Sequence, residues 1–157
     1  MSPAAPPHVL LVDDDLAVLR ALDRALTRMG VRVSVAADAP TARSIVATCA
    51  VDAVVLDYRL PGTRGHLLLG ELVALSPRLQ RHAAFITGDI SDEADAAIVA
   101  TGCPCLMKPF PIAELESLVR WLFEDDARAS TLRPAAVGPL PAAVRSAPAA
   151  EVVVTAA

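Results

Sequence analysis

The stretch VLLVDDDLAV, residues 9–18, runs from four apolar residues directly into three consecutive aspartates. The apolar part has the length and continuity of a strand that is buried on both faces. Asp13, Asp14 and Asp15 then stand at the end of this strand, where like charges repel unless a cation offsets them. A hard divalent ion with oxygen ligands, Mg²⁺, suits such a cluster. For Asp15 alone we favour a structural role, as the N-cap of a helix that starts at Leu16.

Outward from this stretch, short apolar runs alternate with helical patterns along the chain. The predicted strands are residues 9–12, 31–35, 53–56, 83–86 and 103–107, and the predicted helices are residues 16–29, 40–48, 66–75, 91–100 and 111–122. In the first helix the apolar stripe is Leu16, Leu19, Leu22, Leu26 and Met29, closed by Gly30. Five strand–helix units predict an α/β fold, with a doubly wound parallel sheet covered by helices on both faces.

The domain predicted from this pattern covers residues 7–124. From Asp125 the composition changes to alanine with Pro134, Pro139, Pro141 and Pro148. We therefore predict a flexible Ala/Pro-rich C-terminal tail over residues 125–157. The alternative for its valines 152–154 is pairing as an edge strand.

Composition excludes several classes of function. The 157 residues carry a net charge of -4, so no basic field attracts nucleic acid or an anionic membrane. No apolar run approaches the length that spans a bilayer, and the N-terminus lacks a signal-peptide pattern. Three cysteines without a C-x-x-C suit a reducing compartment, and a zinc site at Cys103 and Cys105 is disfavoured. We expect a cytoplasmic protein that binds neither nucleic acid nor membrane.

Polar residues follow four of the five predicted strands. The aspartates 13–15 follow the first strand, Asp57 the third, Thr87 and Gly88 the fourth, and Lys108 the fifth. Ligands of parallel α/β sheets gather at the carboxyl ends of the strands. Lys108 is the only lysine among 14 Lys and Arg residues, and its compact ammonium suits one anionic oxygen better than the planar arginine fork does. The set predicts a site for an anion with several oxygens, held by a metal, a hydroxyl and an ammonium.

Residues 8–124 resemble a bacterial response-regulator receiver domain of two-component signalling. The resemblance rests on "LLVDDD", "VVLDYRLPG", "FITGD" and "LMKPF", which occur in the family's order and spacing. It implies the flavodoxin-like (βα)5 receiver fold, a doubly wound, five-stranded parallel sheet in the order 2-1-3-4-5.

The resemblance also implies roles for the site residues. Asp57 would accept a phosphoryl group from the phosphohistidine of a histidine kinase or a histidine phosphotransfer protein. Asp14 would ligate Mg²⁺ directly and Asp13 mainly through water, with Asp57 and the backbone carbonyl of Arg59 completing the protein's metal ligands.

On the other side of the acceptor, the resemblance implies that Thr87 and Lys108 each contact a phosphoryl oxygen, and that the bond from Lys108 to Pro109 is cis. Arg59 and Asp89 flank the site, where they would tune hydrolysis of the phosphoryl group. The family often has Tyr or Phe where this chain has Cys105. A thiol cannot swing as a ring does, so switching by an aromatic relay is in question.

The predicted output is a contact with an unknown downstream protein, because no DNA-binding domain follows in this sequence; a homodimer formed on phosphorylation is compatible with it. The only chemistry expected is Mg²⁺-dependent self-phosphorylation and autodephosphorylation. Two alternatives stay open. One is a pseudo-receiver that binds partners without phosphorylation, and the other is a phosphohydrolase of the haloacid dehalogenase type that uses Asp13 and Asp15.

Overall fold

The computed structural model describes residues 4–129 and the pair Val144–Arg145. The strands are β1 (His8–Val12), β2 (Arg32–Ala36), β3 (Ala53–Asp57), β4 (Arg59–Leu60), β5 (Thr63–Arg64), β6 (Ala83–Thr87), β7 (Cys105–Met107) and β8 (Val144–Arg145). The helices are α1 (Leu16–Arg28), α2 (Ala39–Thr48), α3 (Gly65–Leu75), α4 (Asp92–Thr101) and α5 (Ile112–Ala129), with a 3-10 turn at Pro77–Gln80.

The main sheet has the strand order β2-β1-β3-β6-β7-β8. The first five strands in this order are parallel, and they confirm the predicted order 2-1-3-4-5 when only the parallel strands are counted. Strand β8 pairs antiparallel with β7. Strands β4 and β5 form a separate antiparallel pair between β3 and α3, which the sequence analysis did not predict.

Two apolar clusters sandwich the sheet, because successive strand residues point to opposite faces. Leu10 and Val12 of β1 face the cluster that contains α2, α3 and α4, whereas Val9 and Leu11 face the cluster of α1 and α5. Strands β1, β3 and β6 have five residues each, and all of these residues are buried. Covering both faces explains why these strands read as continuous apolar runs rather than as alternating patterns.

The ends of the predicted elements shift by a few residues for local reasons. Strand β7 starts at Cys105 rather than residue 103, after Pro104, which has no N–H to donate. Leu16 was predicted to belong to the buried stripe of the first helix, and this is wrong: as the first residue of α1 it is 57% exposed. The helix instead buries Leu19, Leu22 and Leu26 and ends before Gly30, whose φ is +82°.

The predicted tail begins within α5, which continues to Ala129. Its valines 152–154 lie outside the described residues. No helix in the described part of the chain is both long enough and apolar enough to cross a membrane.

Candidate functional site

The carboxyl ends of β1, β3, β6 and β7 meet at one edge of the sheet, and each is followed by or ends in a polar residue. Asp13 directly follows β1, Asp57 ends β3, Thr87 ends β6 and Lys108 follows β7. Asp13 and Thr87 are each 1% exposed and Asp57 is 7% exposed, so all three are buried polar side chains. The predicted cluster of strand-end residues is therefore a real juxtaposition.

The Lys108 ammonium holds two carboxylates of this cluster together. Its Nζ donates to Asp13 Oδ2 at 2.7 Å and to Asp57 Oδ2 at 3.0 Å. Burial lowers the pKa of Lys108, but the hydrogen bonds and charges of Asp57 and Asp13 outweigh it, so the pKa is raised overall. Lys108 therefore remains protonated through the neutral range and supplies a fixed positive charge beside the carboxylates.

The pKa of Asp57 is raised, and burial is the largest cause. The Lys108 ammonium and the Arg59 backbone N–H, 3.3 Å from Asp57 Oδ1, act in the opposite direction, while the charge of Asp13 adds to the rise. The Lys108 ammonium and the Arg59 N–H therefore do not fully offset the cost of burying the charged Asp57 carboxylate. A further cation beside it would favour its ionised form.

Three carboxylates provide a place for that cation. Asp13, Asp14 and Asp57 each bring a carboxylate oxygen to within 4.8 Å of the other two. Among the described residues, these three form the cluster of possible metal ligands with this spacing. Asp14 is exposed, so the site opens to solvent. Carboxylate oxygens with access to water fit Mg²⁺, which retains several water ligands.

Asp15 does not join this group. Its Oδ1 accepts from the backbone N–H of Ala17 at 2.9 Å and of Val18 at 3.3 Å, which makes it the N-cap of α1. The predicted capping role is confirmed, because these contacts satisfy N–H groups that have no partner within the helix. The Asp13 and Asp15 pair needed by the phosphohydrolase alternative is thus divided between two roles.

A hydrogen-bonded loop follows Thr87. The Thr87 Oγ1 accepts from the Asp89 backbone N–H at 3.0 Å, and Asp89 accepts from the Ser91 N–H at 2.9 Å and from Arg59 Nε at 2.5 Å. The hydrogen bonds from Ser91 and then Arg59 lower the pKa of Asp89. Arg59, Thr87 and Asp89 line an open cleft of about 470 Å³ together with Asp57, Gly88 and Lys108. The cleft gives solute molecules access to Asp57.

Gly65 is a site residue that the sequence analysis missed. Its backbone N–H donates to the Tyr58 carbonyl at 2.6 Å, directly after Asp57. A Cβ at position 65 would lie 2.3 Å from the Asp57 carbonyl oxygen, which leaves no room for a side chain. The signal was available only as one glycine in PGTRG, residues 61–65, and nothing local distinguished it from Gly62.

Two features of β7 and its end bear on the expected switch. The peptide bond between Lys108 and Pro109 is cis, as the resemblance implied. Cys105 is 2% exposed and packs in the cluster on the α4 side. Burial, followed by the charge of Asp57, raises the pKa of this thiol to about 12. A small, buried and protonated side chain therefore occupies the position of the family's aromatic residue.

The disfavoured zinc site gains no support. The His8 imidazole contacts the Ala50 carbonyl through Nδ1 at 2.9 Å and Ser34 Oγ through Nε2 at 2.7 Å. Both ring nitrogens are thus used inside the fold, and Cys103 and Cys105 are free, buried thiols.

Curated proteins with a similar sequence are bacterial regulators. Transcriptional regulatory protein PrrA of Mycobacterium leprae is 33% identical over 136 residues, which cover 85% of this chain and 58% of PrrA. Response regulator MprA of Mycolicibacterium vanbaalenii is 32% identical over 117 residues, which cover 74% of this chain and 50% of MprA. The chain therefore spans only about half the length of the curated relatives it matches.

Solved structures with a similar fold are receiver domains. A response regulator receiver domain protein (CheY-like) from Methanospirillum hungatei JF-1 has a TM-score of 0.70 at 26% identity, and the signal receiver domain of an HD domain-containing protein from Pseudomonas fluorescens Pf-5 has a TM-score of 0.71 at 27% identity. Each similarity covers 78% of this chain and 98% of the other.

The family model for the response regulator receiver domain matches residues 9–120, a segment that contains every strand-end residue described above. Sequence, strand order and site geometry agree, and the chain belongs to the response regulator receiver domain family.

Proposed function

We propose that residues 7–124 form a receiver unit in which Asp57 accepts a phosphoryl group from the phosphohistidine of a histidine kinase or a histidine phosphotransfer protein. The observation that carries this proposal is the placement of Asp57. Its carboxylate is buried at a strand end, 3.0 Å from the Lys108 ammonium, and it lines a cleft that opens to solvent. Asp57 is thus reachable by a phosphodonor while its charge is compensated on one side.

In the proposed step, one Asp57 oxygen forms a bond to phosphorus while the bond from phosphorus to the donor's histidine nitrogen breaks. The electron pair of the broken bond returns to that nitrogen, which takes a proton from solvent water as the imidazole leaves, and an aspartyl phosphate remains. A carboxylate needs no base to become a nucleophile, so positioning and charge compensation are the protein's main contributions.

The residues around Asp57 divide these contributions. Asp13, Asp14 and Asp57 would hold Mg²⁺ together with the Arg59 carbonyl oxygen, and their oxygen donors fit this ion. When bound, Mg²⁺ neutralises charge on the transferring phosphoryl group. The Lys108 ammonium, already 3.0 Å from Asp57, would contact a second phosphoryl oxygen.

Thr87 would respond to the added charge. Its hydroxyl accepts a hydrogen bond from the Asp89 N–H, and its own proton is available to a phosphoryl oxygen. A phosphoryl group of about -2 charge would draw this hydroxyl and the loop after β6 towards Asp57. The signal would then pass to a downstream protein through the surface that this loop reshapes.

The test is incubation of the purified chain with a small phosphodonor, with Mg²⁺ or with EDTA, followed by intact-mass measurement. We expect a mass increase of one phosphoryl group that requires Mg²⁺ and is absent from Asp57→Asn. Asp23→Asn is the matched control, since Asp23 is a half-buried residue of α1 whose Oδ1 accepts from the Thr27 hydroxyl, and it should be phosphorylated normally.

The alternatives give different results in the same experiment. A pseudo-receiver shows no mass increase with any donor, and its partner binding is unchanged in Asp57→Asn. A phosphohydrolase of the haloacid dehalogenase type carries the label on Asp13. Peptide mapping of the phosphorylated residue distinguishes that outcome from label on Asp57.

A further inference from the structure

The outer edge of β7 carries backbone groups that β6 does not satisfy. The Pro104 carbonyl accepts from Phe85 N–H at 2.9 Å, and Lys108 N–H donates to the Thr87 carbonyl at 2.9 Å. Residues 104 and 108 therefore face β6. Because the backbone groups of a strand alternate in direction, the groups of residue 106 also face β6, whereas those of residues 105 and 107 face the opposite side.

The short strand β8 lies on that opposite side. It pairs antiparallel with β7, with Arg145 opposite Cys105 and Val144 opposite Leu106. The pair of Cys105 and Arg145 is of the hydrogen-bonded type, since the groups of Cys105 face β8. The pair of Leu106 and Val144 is of the non-hydrogen-bonded type, since Leu106 faces β6.

The sequence around β8 suits a short added strand. It reads PAAVRSAP over residues 141–148, so a proline stands three residues before and three residues after the pair Val144–Arg145. Proline has no N–H for a ladder and limits how far pairing can extend. Pro141 and Pro148 therefore limit a ladder on either side of the pair Val144–Arg145.

We propose that the outer edge of β7 is a docking site for an extended chain segment, and that its occupant is this chain's own segment around Val144–Arg145, bound in cis. By occupying the edge, the segment excludes any other extended chain from pairing there. An unpaired strand edge otherwise serves as a template for a strand of another molecule.

Covalent connection favours the cis form over pairing between two copies. Residues 130–143 join α5 to β8 in one chain, and a short tether gives an effective concentration on the order of millimolar. A second copy in micromolar solution competes poorly with that value. This inference concerns a backbone contact away from Asp57 and does not depend on phosphorylation.

Amide hydrogen exchange of the full chain tests the inference, with Arg145→Pro and Val144→Pro as a matched pair. Arg145→Pro removes the N–H that faces β7, whereas Val144→Pro removes an N–H that faces away from it. We expect exchange at the Cys105 amide to become about fivefold faster in Arg145→Pro, the factor that corresponds to one hydrogen bond. We expect no change in Val144→Pro, and none at the Leu106 amide, which faces β6, in either variant.

A peptide with the sequence of residues 141–148, added to Arg145→Pro, should restore the protection of Cys105. The same peptide should leave the unsubstituted chain unchanged, because the edge is already occupied. Equal exchange at Cys105 in both proline variants and the unsubstituted chain would overturn the inference. Protection that rises with protein concentration would also overturn it, since the segment would then come from a second copy.

Discussion

Removing the positive charge of Lys108 should destabilise the folded protein by about 3 kcal/mol at neutral pH without divalent metal. Lys108→Met keeps a stem of similar length and removes the ammonium. Asp13 and Asp57, now 2.7 Å and 3.0 Å from Nζ, would remain as neighbouring buried carboxylates without a cation.

The magnitude follows from these two contacts. A hydrogen bond to a charged group contributes about 1.5–3 kcal/mol, and removing one partner of a buried ion pair costs about 3–5 kcal/mol. The Lys108 side chain is 25% exposed, so water already weakens part of the attraction. The lower end of the range is therefore the expected loss.

The loss should depend on pH in a definite direction. The folded-state pKa of Asp57 already lies above its ordinary value of 3.8, and removal of the ammonium raises it further. A carboxyl group with a raised folded pKa loses stability as the pH rises from its unfolded pKa through its folded pKa. The loss of folding stability caused by Lys108→Met should therefore be small near pH 4 and should grow towards neutral pH.

Urea unfolding followed by circular dichroism, in EDTA at about pH 5 and about pH 7.5, measures this deficit. Arg43→Met is the control, because Arg43 forms a pair with Glu71 at a similar distance, 2.7 Å, but with 41% and 48% exposed side chains. The control should lose less than about 1 kcal/mol at either pH. A Lys108→Met loss below about 1 kcal/mol, or one that does not change with pH, would refute the reasoning.

Three further predictions concern thiols, a tight backbone contact and the metal. In the folded chain at pH 8, iodoacetamide should add one adduct, on exposed Cys49. Cys103 and Cys105 are buried, and burial raises the pKa of both thiols, to about 12 for Cys105. Two or more adducts in an intact-mass measurement would contradict this. Gly65→Ala should destabilise by about 1–3 kcal/mol because its Cβ meets backbone, whereas Gly70→Ala, with open space in α3, should stabilise slightly; urea midpoints that shift alike would count against the contact. Mg²⁺ at a hundred times its Kd should raise stability by about 2.7 kcal/mol, measured by thermal melting, and Asp14→Asn should lose most of this gain; equal gains would exclude Asp14 as a ligand.

Much of the fold follows from patterns that are local in sequence. Continuous apolar runs such as residues 53–56 predicted strands buried on both faces, and the capping role of Asp15 followed from its place before α1. The β4 and β5 pair was missed because two-residue strands carry no periodicity. Leu16 was misassigned because helical periodicity does not show which end of a helix extends beyond the sheet that it packs against.

The sequence alone determined which chemical groups stand at strand ends, since the order of apolar runs and polar residues is written along the chain. Only the tertiary structure decided how those groups meet. Lys108 reaches Asp13 across 95 residues of sequence, Gly65 approaches the Asp57 carbonyl, and β8 covers the edge of β7. These contacts join segments that are remote in sequence. Electrostatic interaction and steric exclusion both depend on distance in space, and that distance is defined only once the chain has folded.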